Sequence, residues 1–115
     1  MQITVAENAD IPSLCSLLQP LFTQEAEFKA DFAVQSRGLA LIIDNQDVGV
    51  ILLACLDGRT VGMVNLLYTV STALGARVIL LEDMVVAPDM RRKKIGTGLL
   101  AVSYTHLTLP TNREV

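Results

Sequence analysis

The stretch Val78 to Leu100, VILLEDMVVAPDMRRKKIGTGLL, decides how this chain is read. Val78 to Val86 is apolar apart from Glu82 and Asp83, and its β-branched content predicts a strand. Pro88 stops that strand because it cannot donate to a ladder. Asp89 and Met90 make the turn. Ile95, Leu99 and Leu100 are spaced to form the apolar face of a helix. Gly96 and Gly98 fall in its first turn, where helix propensity alone would not put them. Without side chains they leave backbone N–H groups open to a ligand. Those donors and the helix dipole make an anion site. Arg91, Arg92, Lys93 and Lys94 are consecutive, and cations there oppose the dipole. An anionic ligand supplies the reason for them, with charge-assisted hydrogen bonds worth roughly 1.5–3 kcal/mol each. A Walker loop is excluded, since neither glycine precedes Lys-Ser or Lys-Thr. A Rossmann loop is excluded for want of a third glycine and an early βαβ unit.

Working outward, Ile3 to Glu7 reads as a short first strand. Asp10 is the expected N-cap of a helix, with Pro12 in its first turn. Ile11, Leu14, Cys15, Leu17, Leu18, Leu21 and Phe22 then recur at helical spacing. Pro20 is expected to kink or end that helix. Thr23 to Ala33 fits a helix or a mobile linker equally well. Val34 to Asp44 resumes helical spacing, despite Gly38. Asn45 to Asp47 is a turn. Val48 to Leu56 is a strand so apolar that it should be covered on both faces. Asp57-Gly58 is a tight-turn signal, and Val61 to Val70 returns as the other half of a hairpin. Ser71 to Ala76 connects to Val78–Val86. The order β-α-α-β-β-β-α, without internal repeats, predicts an α/β (α+β) domain. Its sheet should be mixed and mostly antiparallel, with helices packed on it.

Composition narrows the function. The 115 residues suit one domain, and a mild net charge of −3 argues against general nucleic-acid binding. No apolar run approaches the ~20 residues of a membrane span. The N-terminus lacks the pattern of a signal peptide, so a cytoplasmic location is expected. Cys15 and Cys55 lack metal-ligand spacing and read as buried free thiols. The single His, His106, lies near the C-terminus, so a His dyad or a metal site is not expected.

The central stretch resembles the acetyl-CoA-binding motif of the GNAT superfamily of N-acetyltransferases. That motif is a strand ending V-x-P, then R/Q-x-x-G-x-G/A and an apolar helix. Val86-Ala87-Pro88 ends the strand here, Arg91 to Gly96 covers the signature, and Thr97-Gly98-Leu99-Leu100 follows. The strand order also matches the family's N-terminal half, so the resemblance spans Met1 to about Leu100. One position departs: the first signature glycine is Lys94. If that site needs φ > 0, a side chain costs ~1–2 kcal/mol. If it needs only close approach, Lys94 must point outward. A register shifted to Lys93–Gly98 restores both glycines but loses the arginine. The resemblance implies acetyl-CoA as cosubstrate and no metal. It puts Met84, Val85 and Val86 beside the pantetheine arm. The residues Arg91, Arg92, Lys93, Lys94, Ile95, Gly96, Thr97 and Gly98 would surround the pyrophosphate.

Acetyl transfer needs a neutral amine, whereas an alkylammonium has a pKa near ~10.4. A carboxylate that takes the proton contributes roughly 10²–10⁴ in rate. Strand alternation sends Glu82 and Asp83 to opposite faces. The Leu-Glu-Asp triplet before Val-Val is similar to diamine (spermidine/spermine-type) acetyltransferases. That likeness implies Glu82 as base and Asp83 as a substrate-binding group for a cationic amine. The expected acceptor is a small-molecule primary amine such as a polyamine or an amino-acid-like amine. Alternatives are a protein or peptide N-acetyltransferase, or a non-catalytic acyl-CoA-binding regulatory domain. A homodimer of the full-length form is left open.

After Leu100 the apolar pattern breaks. Val102 to Thr111, VSYTHLTLPT, looks like a translated transposase-type sequencing adapter. Residues 1–100 are therefore read as a truncated domain whose C-terminal half is missing, and 101–115 as a non-native tail. On that reading the chain should be inactive or nearly so, and Tyr104 inherits no catalytic role.

Overall fold

The computed structural model describes residues 1–23 and 31–108. Its elements run β1 (Gln2–Val5), α1 (Ile11–Thr23), α2 (Phe32–Ile43), β2 (Gly49–Leu56), β3 (Arg59–Ser71), β4 (Ala76–Val86) and α3 (Ile95–Thr108). This is the expected β-α-α-β-β-β-α order. Short 3₁₀ turns occupy Asn8–Asp10 and Pro88–Met90. The sheet has the order β1-β2-β3-β4. Each neighbouring pair is antiparallel.

The apolar run in β2 is covered on both faces, as expected. Ile51 and Leu53 face a core with Leu14, Leu18, Leu39 and Met63, under α1 and α2. Leu52 and Ala54 face a second core with Val61, Val64, Leu66, Ile95 and Leu99, under α3. Asp57 (φ 51°) and Gly58 (φ 79°) form the β2–β3 turn. Two successive left-handed residues are what a two-residue hairpin of the right twist requires.

Several expectations are corrected. Asp10 does not simply cap α1: its carboxylate accepts from the Glu7 amide at 2.8 Å, within a 3₁₀ turn that precedes the helix. Pro20 does not end α1, which runs on to Thr23. Proline removes only its own donor, and the turns on either side keep theirs. Most of Thr23 to Ala33 lies outside the described residues. At its end, Asp31 caps α2 by accepting from the Val34 amide at 3.2 Å. The pattern break expected after Leu100 is absent from the backbone, since α3 continues to Thr108. Val102 packs on the α3-side core, and Ser103 is buried with its Oγ donating to the Leu99 carbonyl at 2.7 Å. A back-bonded serine satisfies its own hydroxyl, so it can occupy a buried helix face that an apolar pattern does not reveal.

Burial explains why α3 tolerates glycine at its start. Ile95 and Leu99 are 3% and 0% exposed. Burying two such side chains gains roughly 3–6 kcal/mol, against about 2 kcal/mol lost to two helical glycines. Close approach does the rest. A Cβ on Gly62 of β3 would lie 3.0 Å from Ile95 Cγ2 and 3.1 Å from Leu99 Cδ1, so the bare backbone lets α3 settle onto the sheet.

Candidate active site

β4 delivers the chain into the Pro88–Met90 turn and then into the basic segment before α3. The Ala87 amide donates to the Val61 carbonyl at 2.8 Å, which pins the end of β4 to β3. Arg59, at the start of β3, grips Asp89 in the turn: Nη1 donates to Oδ2 at 2.6 Å and Nη2 to Oδ1 at 2.8 Å. The Arg59 hydrogen bonds hold the Asp89 carboxyl below the usual carboxylate range, with a smaller contribution from the charge of Lys93. The hairpin end is thereby tied to the turn that leads into the basic loop.

An open cavity of about 350 Å³ lies at the start of α3, lined by Val86, Met90, Arg91, Arg92, Lys94, Ile95, Gly96 and Thr97. The Gly98 amide donates to the Lys94 carbonyl at 3.0 Å. The amides of Ile95, Gly96 and Thr97 precede that first intrahelical bond and lack helical acceptors. A diphosphate suits this combination of bare donors, guanidinium and ammonium groups. No contact among the described residues requires glycine at position 96. A Cβ there would only touch Val86 Cγ2 at 3.9 Å and Met84 Sδ at 4.0 Å. A backbone kept open for a ligand accounts for it better than packing does.

The expected cradle residues thus separate. Arg91, Arg92, Lys94, Ile95, Gly96, Thr97 and Val86 come together at the cavity. Gly98 does not: its amide is spent, and a Cβ there would lie 3.0 Å from Met1 Cε, on the β1 side. Lys93 is exposed and outside the lining. Met84 packs in the α3-side core and Val85 against the opposite one. Met90 lines the cavity, although the sequence marked it only as a turn residue.

Lys94 has φ 61° and Arg92 has φ 71°, both left-handed. The position where the motif carries its first glycine is therefore one where glycine is conformationally preferred. That coincidence holds in the register starting at Arg91. In the shifted register the glycine position would be Gly96, which is helical.

Farther up β4, the alternation expected for Glu82 and Asp83 fails. Asn65 pairs with Glu82 and Met63 with Val85, so Val64 faces both Asp83 and Met84. This is a β-bulge, with Asp83 at φ 51°. The bulge turns Asp83 so that its Oδ2 accepts from Asn65 Nδ2 at 2.9 Å. Asn65 is also the cross-strand partner of Glu82, so both carboxylates flank one asparagine. Glu82 is exposed and makes no ion pair among the described residues. The carboxylates lie three and four residues before Val86, roughly 10–13 Å along a strand rising ~3.3 Å per residue. Sequence reasoning overlooked Asn65, although a lone amide inside VGMVNLLY was a visible signal.

Cys15 is buried and Cys55 half-buried, both as free thiols. No group of three or more His, Cys, Asp or Glu residues suited to a metal occurs among the described residues. No described helix is long and apolar enough to cross a membrane.

The model of the acetyltransferase (GNAT) family matches residues 11–107. The chain belongs to the GNAT acetyltransferase family. Its fold is shared with an integron cassette protein from the mobile metagenome of Cole Harbour Salt Marsh, at TM-score 0.84 and 22% identity, over 92% of this chain and 69% of that one. A ribosomal-protein-alanine N-acetyltransferase from Brucella melitensis biovar Abortus 2308 is similar at TM-score 0.69 and 20% identity, over 93% and 71%. An aminoglycoside acetyltransferase from an uncultured soil metagenomic sample, in complex with sisomicin, gives TM-score 0.71 and 18% identity, over 93% and 69%. At these identities the likeness concerns the GNAT fold alone. No curated protein sequence matches the chain.

Proposed function

We propose that this GNAT domain, in its full-length form, transfers the acetyl group of acetyl-CoA to a primary amine of a small cationic molecule, of which a polyamine is the model. The observation that carries this reading is the pair Glu82–Asp83 at the β4 bulge, on the strand that leads directly into the anion-binding loop. The loop residues Arg91, Arg92 and Lys94, with the amides of Ile95, Gly96 and Thr97, bind the diphosphate of the cosubstrate. Met84, Val85 and Val86 border its arm. Glu82, exposed and without an ion pair among the described residues, takes the proton from the acceptor ammonium, directly or through water. The freed amine attacks the acetyl carbonyl carbon, the C–S bond breaks with the thiolate leaving on that bonding pair, and the proton shed by the new amide nitrogen goes to the thiolate, giving the free thiol. Asp83 attracts a second ammonium of the acceptor. The acceptor reading follows the Leu-Glu-Asp triplet and the charge of the site, and a cytoplasmic protein suits it.

Glu82→Gln tests the base. Acetyl transfer should fall by roughly 10²–10⁴, while acetyl-CoA affinity stays unchanged. Full turnover by that variant would remove Glu82 from the chemistry. Transfer to peptide N-termini but not to any diamine would replace the acceptor half of the reading. Binding of acetyl-CoA without turnover on any amine would favour a regulatory domain. We also propose an adapter origin for residues 101–115, which amplification of the locus from source DNA tests.

A further inference from the structure

Asn65 is 4% exposed, in the middle of β3. Its cross-strand neighbours are Ile51 on β2 and Glu82 on β4. Apolar residues surround it along the strand: Met63, Val64 and Leu66 are all fully buried. A leucine or valine would suit such a position, and an asparagine brings a penalty that is visible in the structure. Its Nδ2 reaches Asp83 Oδ2 at 2.9 Å, but its Oδ1 is buried with no hydrogen-bond partner. Reversing the amide would not relieve this. It would set Oδ1 against the Asp83 carboxylate, acceptor against acceptor, so the carboxylate itself fixes which way the amide points. A buried orphan acceptor is normally selected out. It persists where the other end of the group does something an apolar side chain cannot.

That other end holds Asp83. The Asp83 backbone is left-handed, at the point where Val64 faces both Asp83 and Met84. Left to itself, a carboxylate at a bulge has several rotamers and can swing to solvent. One donor on the neighbouring strand restricts it. Asn65 is also the cross-strand partner of Glu82, so the residue that holds Asp83 stands opposite the neighbouring carboxylate.

We propose that Asn65 is a positioning residue for the acceptor amine. Through Nδ2 it orients the Asp83 carboxylate toward the distal ammonium of a diamine whose reacting amine lies at Glu82. It acts on the acceptor's second charge, and neither on acetyl-CoA nor on the proton transfer itself. This rests on the acetyl-transfer reading above and adds the residue that selects a doubly charged acceptor.

Two measurements test it. The first needs no turnover. The Asn65 side-chain amide signals of the whole chain are compared by ¹H–¹⁵N NMR between the parent and Asp83→Asn. They should move when the carboxylate that accepts from Nδ2 is replaced. An amide pair indifferent to Asp83→Asn overturns the proposal whatever the reaction. The second compares diaminobutane with butylamine as acceptors of the full-length form. Asn65→Leu should raise KM for the diamine roughly tenfold, and in the Asp83→Asn background it should add nothing further. KM for butylamine and for acetyl-CoA should stay put. Equal losses on both acceptors, or additive effects of the two substitutions, would show that Asn65 acts on general structure instead. With the orphan acceptor removed, Asn65→Leu should melt at or above the parent temperature. Asn65→Val serves the same comparison if leucine does not fit. A full-length form that acetylates no amine overturns the acetyl-transfer reading and, with it, the acceptor role, while the NMR arm separately decides whether Asn65 orients Asp83.

Discussion

Lys94→Gly isolates the backbone requirement of the anion loop. Lys94 has φ 61°, and its carbonyl accepts the Gly98 amide at 3.0 Å, so the strained residue is also the one that opens α3. Holding a residue with a Cβ in this region costs about 1–2 kcal/mol. Glycine removes that cost but loosens the unfolded chain, returning about 0.4–1 kcal/mol. Lys94 is exposed and makes no ion pair among the described residues, so no other stabilising contact is given up. The difference leaves a net gain near ~0.8 kcal/mol, or about 3 °C in Tm for a domain of this size. Lys94→Ala is the decisive control, because it deletes the same ammonium yet keeps the Cβ. It should show no gain, and Lys94→Asn should fall between the two. Urea denaturation with a shared m-value reads all three. Acetyl-CoA affinity should fall by the same factor in Lys94→Gly and Lys94→Ala, which separates charge from conformation. If alanine stabilises as much as glycine, or glycine destabilises, the left-handed backbone is not what the loop pays for.

Gly49→Ala should destabilise by ~3 kcal/mol or more, because its Cβ would stand 2.2 Å from the Leu66 carbonyl oxygen. Gly38→Ala, with open space at that position, should instead stabilise α2 by about 0.8–1 kcal/mol, and thermal melts of the pair give the contrast. The Arg59–Asp89 bridge predicts a pH effect of definite sign. The folded Asp89 carboxyl lies below its ordinary value, so the contribution is present above the ordinary carboxylate range and is lost as pH falls through the lowered value. Tm curves for the parent and Asp89→Asn should therefore converge in acid. A gap that widened toward low pH would contradict the assignment. Both side chains are exposed, so the effect should be small and shrink with salt.

The hairpin was legible because Asp57-Gly58 is a local signal, and the two-faced burial of β2 because its run lacks polar interruption. The anion loop was legible for a similar reason: its cations and glycines are contiguous in sequence. The bulge at Asp83 was not. A bulge is a mismatch between two strands, and strict alternation along β4 says nothing about how many residues β3 sets against it. Lys94 does not announce its left-handed backbone by residue type; only the motif's glycine at that position raised the possibility. The continuation of α3 was hidden by Ser103, a polar residue that satisfies itself inside a helix. Gly98 resembled a cradle residue by proximity to Gly96, but two positions along a helix are enough to spend its amide and turn it toward Met1.

β4 has a partner on one side only among the described residues, and Leu80 and Leu81 on it are 48% and 43% exposed. The strand carrying the candidate chemistry is therefore an edge of the described sheet, as the short β1 is at its other side. Amide hydrogen exchange should be slowest in β2 and β3 and faster along the outer row of β4, through local opening well below the global unfolding free energy. Such a strand also reports on its own occupancy. A ligand that contacts it adds its binding free energy to the opening reaction, about 2.7 kcal/mol at a hundredfold excess over Kd. The exchange rates of a few β4 amides would thus serve as a binding gauge for both cosubstrate and acceptor, with neither label nor turnover required.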